Sequence, residues 1–310
     1  MATSYDPKSF WNARFGRYGH TGEVDKLLYT YDQGQRLRAI DKILSRAHIT
    51  INSSTEILDV GCGTGDLIWS FRKYGGPTTT GIDVSDETID YARRRFAGSA
   101  NVRLHTIGVE DMDFPSNSFD LVTCINILQH ITDDRKYVRA VENITKASRM
   151  RGHILTMDFC PIKVKNKKPA PYLVIRSRDQ YVNIFHNNGC TLICEFGLPR
   201  IGVRLYRALC WIVACLRRTS VSHTGRISED TKRDPYKRTI RSRIFHLTKV
   251  ILLRLTKPLD DYLPSFPGRF TDMRILIFRK TTYSRISGKV PYESHAGLKL
   301  QHSTQSNIFH

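Results

Sequence analysis

The chain has 310 residues, 40% of them hydrophobic and 25% charged, which supports a packed core in one large domain or two small ones. Its net charge of +19 points to an anionic partner (nucleic acid, a phosphorylated substrate or an anionic lipid surface), with solubility as the plainer reading. The longest apolar run, 208–216, falls well short of the roughly 20 residues that a membrane-spanning helix needs. The seven cysteines follow no disulfide framework or metal-ligand spacing. A spanning protein, a disulfide scaffold and a metal site are therefore set aside, and free thiols in apolar runs suit a reducing compartment.

The N-terminal stretch MATSYDPKSFWNARFGRYGH has no apolar core and does not read as a signal peptide. A short apolar run at 57–60 leads into glycines and reads as a buried strand. A helix over 66–74 follows, ended by Gly75, Gly76 and Pro77. The β-branched run 78–84 is a second strand, and Ser85 caps a helix over 88–96. Strands are expected at 101–107, 119–125, 152–158 and 190–196, with helices at 133–149 and 177–187 and a basic, proline-containing loop at 161–171. A last strand at 272–280 stands apart. Strands alternating with helices at this spacing predict an α/β fold with a mostly parallel sheet.

The stretch EILDVGCGTGD, from Glu56 to Asp66, places three glycines directly after the first strand. Glycine permits close backbone approach, and a following helix N-terminus offers free N–H groups to a nucleotide. A phosphate-binding loop would continue Gly-Lys-Ser/Thr, but Asp66 follows Gly65. The spacing is Gly61, Gly63, Gly65 rather than the G-x-G-x-x-G of dinucleotide folds. An acid at Asp66 would repel pyrophosphate yet tolerates a positively charged sulfonium. The second strand ends in Asp83, whose carboxylate can take both hydroxyls of a ribose.

These residues resemble the class I S-adenosylmethionine-dependent methyltransferases. ILDVGCGTG matches that family's first motif, TGIDVS its second, VEDMDFPSNSFDLVTCINILQHITD its third and fourth, and GHILTMDF its fifth strand. The likeness covers roughly residues 55–200 and resumes at 270–280. It implies a Rossmann-like, seven-stranded, mostly parallel sheet with an antiparallel last strand, and S-adenosyl-L-methionine as cofactor. Carried over by position, Gly61, Cys62 and Gly63 line the methionine portion, Asp83 holds the ribose, Val84 packs on adenine and Val109 offers its backbone to the ring. Asp59, also in the candidate cofactor-binding set, orients the glycine turn or a water, with direct contact to the cofactor as the alternative. Gly65, Glu110, Ile125 and Tyr18 complete the candidate cofactor-binding set. The sequence departs from the family pattern at Gly108, where an aspartate often contacts the adenine amino group. Glu110 or Asp111 takes over that contact, or it is lost.

Methyl transfer to oxygen needs a base near the acceptor as well as exclusion of water. Two histidines are catalytic candidates. His130 follows the fourth strand, at the sheet end where such folds place ligands, with helix-start packing as the competing role. His20 lies in FGRYGHTG, with an ordinary turn as its alternative. In related enzymes the N-terminal segment closes over the cofactor, so residues 1–50 are expected as a helical lid, and Trp11 and Arg14 join Tyr18 as candidates for cofactor or substrate contact. The expected acceptor is a small-molecule, sugar or lipid-linked hydroxyl. Nitrogen methylation of a metabolite, RNA methylation and cofactor binding without catalysis are the alternatives.

Between Arg200 and Lys257 there are fifteen Lys/Arg and three Asp/Glu, a net of +12. Helices are expected over 203–218 and 241–255, the second with Ile244, Leu247, Ile251 and Leu255 at helical spacing and Arg241, Arg243, Lys249 and Arg254 interspersed. A polar linker, 219–236, separates them. This helical insertion between strands six and seven, 201–269, reads as a substrate lid or homodimer surface, or as an element lying on an anionic membrane. Nucleic acid ranks below both, because aromatics are not interleaved with the basic residues. The core is assigned to 51–200 plus 270–282, and 283–310 to a flexible tail. A cytoplasmic protein, peripheral to the inner membrane surface in the lipid reading, is expected.

Overall fold

The computed structural model describes residues 5–222, 235–262 and 271–282. The expected tail and most of the expected linker lie outside these residues.

Two helices open the chain, α1 (Pro7–Tyr18) and α2 (Lys26–Arg46). Asp6 and Asp25 cap them by accepting first-turn N–H groups. Then follow β1 (Glu56–Val60), α3 (Asp66–Phe71), β2 (Thr78–Asp83), α4 (Asp86–Arg95), β3 (Val102–Thr106), β4 (Phe119–Ile125), α5 (Asp134–Ala147), β5 (Ser148–Phe159), α6 (Arg178–Asn187) and β6 (Cys190–Leu198). The helices α7 (Ile201–Ser222) and α8 (Pro235–Tyr262) precede β7 (Met273–Lys280). The sheet order is β3-β2-β1-β4-β5-β7-β6. The pairs among β1 to β5 are parallel, and β7 lies antiparallel between β5 and β6.

Alternation along the strands builds a core on each face of the sheet. Leu58, Val122 and Phe278 pack on α5 and α6 through Val141, Ile144 and Phe185. Ile57, Leu121, Leu155 and Ile275 pack on α2 and α3 through Ile40, Ile43 and Phe71. Residues 1–50 are thus not a lid throughout. Ala39, Ile40, Ile43 and Leu44 are buried, and this second half of α2 belongs to the core because its apolar face has the sheet to cover.

The fifth strand is longer than expected, 148–159 rather than 152–158. Pairing with β7 from His153 to Phe159, and of Ser148 with Phe119, supplies backbone partners beyond the apolar run. In the insertion, α8 runs past its expected end at 255 and through Pro258. Tertiary contacts hold that last stretch. The Asp260 carboxylate accepts the N–H groups of Ile201 and Gly202 at 2.6 and 2.8 Å and the Tyr31 hydroxyl at 2.7 Å. Asp261 takes Arg38 Nε at 2.7 Å. These bonds fix α7 and α8 on α2.

Candidate functional site

A cavity of about 740 Å³ lies at the carboxyl ends of β1, β2 and β4, where the strand order reverses and such sheets bind ligands. Its floor is the glycine turn. The N–H groups of Gly61 and Cys62 both donate to the Ile82 carbonyl, at 2.7 and 2.9 Å. Gly63 N–H donates to Asp83 Oδ2 at 2.9 Å. Gly61 and Gly63 have φ of 69° and 52°, a region that side chains disfavour. A Cβ on Gly61 would collide with the Ile127 side chain.

Asp83 spans this turn and the next helix, since its Oδ1 accepts Ser85 N–H at 2.9 Å. Burial raises its pKa. Asp59, 2% exposed, accepts the Thr123 hydroxyl at 2.7 Å. Burial, with Asp83 nearby, lifts its pKa to about 7. Neither acid is in an ion pair among the described residues, so this end of the cavity favours a cationic occupant. Asn126, at the end of β4, also lines the cavity, with φ of 57° and a buried Oδ1 that no protein group satisfies. Two acids, an orphaned acceptor and a side-chain-free turn fit a cationic nucleoside such as S-adenosylmethionine.

Val84, Val109 and Ile125 give this end its apolar lining, and the Cys62 thiol, buried against Gly81, has a pKa pushed well above its ordinary value. The departure at Gly108 has a structural counterpart. A Cβ there would meet Glu110 Oε2 at 2.9 Å, so the Glu110 carboxylate folds back into the space a side chain at 108 would take. Lys136 holds it at 3.3 Å. Asp111 instead is exposed and faces Arg139 at 3.8 Å.

His130 lies at the other end, beside Trp11 and Tyr172, with ring centroids 4.9 and 6.0 Å away. Its Nδ1 donates to the Tyr172 carbonyl at 2.8 Å, which makes Nε2 the acceptor, 3.3 Å from the Gln129 amide nitrogen. Desolvation lowers its pKa to about 4, so the ring is neutral at neutral pH. Tyr5, Phe159, Leu173 and Ile175 continue the lining.

Three sequence candidates lie outside the cavity lining. His20 is 5% exposed and stacks flat on Tyr29, with centroids 3.8 Å apart, so packing occupies its ring face. Tyr18 is turned toward Arg14 and Arg17, whose guanidinium carbons lie 5.7 and 5.3 Å from its ring. Gly65 is the N-cap of α3 with φ of 78°, and a Cβ on it would strike Phe96. Its role is to let the chain turn.

Sequence reasoning missed Asn126, Tyr172 and Tyr29. For Asn126 the available signal was an asparagine directly after a strand, one of the few residues that adopts left-handed backbone readily. Tyr172 sits in a loop and carried no signal. Tyr29 donates its hydroxyl to Asp66 at 3.1 Å, and Arg95 faces the same carboxylate at 2.5 Å. Asp66 therefore ties α2 and α4 to the glycine turn.

A family model described as a methyltransferase domain matches residues 57–152. A ubiquinone biosynthesis O-methyltransferase from Neisseria meningitidis serogroup C is 33% identical over 136 residues, 43% of this chain and 53% of that protein. A phosphoethanolamine N-methyltransferase from Plasmodium falciparum is 27% identical over 130 residues, 42% of this chain and 48% of that one. The chain spans about half the length of these curated relatives. The structure of a protein from Galdieria sulphuraria, proposed to be a sarcosine dimethylglycine methyltransferase, aligns with a TM-score of 0.53 at 14% identity, covering 90% of this chain and 99% of that one; at that identity the likeness bears on fold alone. Glycine turn, ribose-type acid, strand order and family match coincide: residues 57–152 carry a methyltransferase domain, within a fold similar to that of the class I S-adenosylmethionine-dependent methyltransferases.

Proposed function

We propose that this protein methylates a hydroxyl oxygen on a small-molecule or lipid-linked acceptor with an apolar body. Bound S-adenosylmethionine supplies an electrophilic methyl group on a sulfonium. Asp83 would hold the ribose, Val84 and Val109 the adenine, and Glu110 the amino group that an acid at position 108 serves in relatives. Asp59 and Asp83, buried and without a cationic partner among the described residues, would gain from a sulfonium nearby, which would favour their ionised forms.

The observation that carries the oxygen assignment is the orientation of His130. Its Nδ1–H is committed to the Tyr172 carbonyl, so the Nε2 lone pair, facing the Gln129 amide, is the available base within a lining of Trp11, Tyr172, Phe159 and Leu173. An acceptor hydroxyl that displaces the Gln129 amide would lose its proton to Nε2 as the methyl group transfers. A neutral imidazole of low basicity suits an acidic hydroxyl, such as a phenol, better than an aliphatic alcohol or sugar. The name of the Neisseria relative supports an oxygen acceptor. The Plasmodium relative supports the second reading, an amine acceptor, for which a base is dispensable when the amine binds neutral.

The test is turnover of isotopically labelled S-adenosylmethionine against matched phenol and amine acceptors. We expect the phenols to be labelled and His130→Gln to lower that rate roughly 100-fold or more with cofactor affinity unchanged. Labelling of amines alone, unaffected by His130→Gln, would overturn the oxygen assignment.

A further inference from the structure

The helices α7 and α8 carry apolar side chains on a side that no described residue covers. On α8, Ile244, Leu247, Ile251, Leu255 and Leu259 follow at intervals of three and four residues and are between 48% and 70% exposed. This is one continuous stripe along four turns. On α7, Leu205, Trp211 and Ile212 are exposed as well, Trp211 at 68%. The opposite sides of the same helices are packed, through Val203, Tyr206 and Leu253 against Leu28 of α2. Polar bonds lock that inner side. Lys249 meets Asp25 at 3.0 Å, and the Tyr206 hydroxyl donates to the same acid. The inner sides of the helices are thus fixed to α2, while among the described residues their apolar outer stripe is uncovered, an arrangement monomeric proteins rarely keep unused.

Charge selects the occupant. Arg254, next to Leu255, and Lys257 are exposed on one side of the α8 stripe, and Arg204 precedes Leu205 on α7. The stretch from Arg200 to Lys257 has a net charge of +12. A second copy of the chain would bring the same excess against itself. Nucleic acid would leave the aliphatic stripe facing phosphates, with no row of aromatics for bases to stack on. An anionic bilayer satisfies both features, with aliphatic side chains in the acyl boundary and cations among the headgroups. No helix of the described residues is long and apolar enough to cross a membrane. The geometry of the insertion also reaches the site, because Arg200 and Arg207, at the start of α7, line the cavity.

We propose that α7 and α8 form a docking surface for an anionic lipid bilayer, which sets one wall of the acceptor cavity at the membrane and makes a lipid-borne acceptor accessible to it. The last clause rests on the acceptor reading above; the docking itself does not.

The test is flotation of the full chain with vesicles of phosphatidylglycerol and phosphatidylcholine, or of phosphatidylcholine alone, at about 0.05 and 0.5 M salt, roughly the range over which screening lengths shorten from above 10 Å to a few Å. We expect flotation with the anionic vesicles at low salt, and a loss of about ten-fold at high salt or with neutral vesicles. Ile251→Gln with Leu255→Gln should lower binding about ten-fold, and Arg254→Gln with Lys257→Gln should do so at low salt. Both pairs are on the surface, and unchanged thermal unfolding would show that they fold. Protein left at the bottom of the low-salt gradient overturns the proposal. So does flotation indifferent to Ile251→Gln/Leu255→Gln. A stable dimer in sedimentation that this pair dissociates, without vesicle binding by the wild type, assigns the stripe to a second copy instead. Calorimetry with S-adenosylmethionine on the same protein keeps failure of docking separate from failure of the methyltransferase reading.

Discussion

Asp83 and Gly63 are joined by a hydrogen bond of 2.9 Å from the glycine N–H to Oδ2. The acid at the end of β2 thereby holds the turn after β1 in the conformation that leaves room for a ligand. Asp83 has a positional role in the turn in addition to any contact with ribose. Asp83→Ala should weaken S-adenosylmethionine binding by about 2 kcal/mol or more, roughly 30-fold, because charge-assisted hydrogen bonds are lost and the turn is released. Titration calorimetry measures it. Unchanged affinity in a folded variant would sink the assignment.

Gly61→Ala tests the turn from the other side. A residue with a side chain at φ of 69° costs about 1–2 kcal/mol in left-handed strain, and the new methyl group collides with Ile127. We expect a stability loss of about 2 kcal/mol or more in urea unfolding. Gly61→Ala combined with Ile127→Ala should be less destabilised than the sum of the two single changes, since the collision disappears. Strict additivity would show that the contact with Ile127 is unimportant.

Asp59 and His130 titrate with opposite consequences for stability. The folded pKa of Asp59, about 7, is raised above its unfolded value. Its contribution is complete below the unfolded pKa and is lost as pH rises through about 7. Asp59→Asn, which mimics the protonated acid and can still accept from Thr123, should therefore gain on wild type as pH rises from 4 to 8, by up to roughly 4 kcal/mol. For His130 the folded pKa, about 4, is depressed. Its contribution is present above the unfolded pKa near 6.5 and fades as pH falls toward 4. His130→Gln should lose less stability than wild type over that interval. Denaturant unfolding at a series of pH values reads both, and a difference between Asp59→Asn and wild type that stays flat with pH would contradict the raised pKa.

Kinetics provide an independent view of His130. A base with a pKa of about 4 is already unprotonated at pH 6, so the acidic limb of kcat/KM attributable to it should lie below pH 5 rather than near 6.5. A limb near 6.5 that disappears in His130→Gln would mean that the imidazole is better solvated in the working enzyme than in the structure.

The order of strands and helices was legible because each element carried its own local signal. Apolar runs of four to six residues preceded turns, glycines stood where φ turns positive, and Ser85 and Ser177 stood at helix starts. The acids Asp59 and Asp83 were legible because they close strands that lead into the site, and the family likeness rested on those same few residues. The ends of elements were less so. Pairing of Ser148 with Phe119 of β4 and of Phe159 with Met273 of β7 extended β5 at its two ends, and bonds from Asp260 and Asp261 to α2, more than two hundred residues away, carried α8 through Pro258.

What the sequence determined by itself is local and periodic: the glycine turn, the alternation of strand and helix, the basic excess of the insertion and the helical spacing of its aliphatic residues. What only the tertiary structure decided is direction. His20 and His130 are indistinguishable as residue types, yet one stacks on Tyr29 while the other presents Nε2 to the cavity. The stripe from Ile244 to Leu259 has the spacing of a buried face, and it is exposed because Leu253, Thr256 and Asp260, on the opposite side of α8, meet α7 and α2 first. Spacing specifies that side chains share a face; which face is covered depends on the partners that long-range packing brings, and those are not written in any local stretch of the chain.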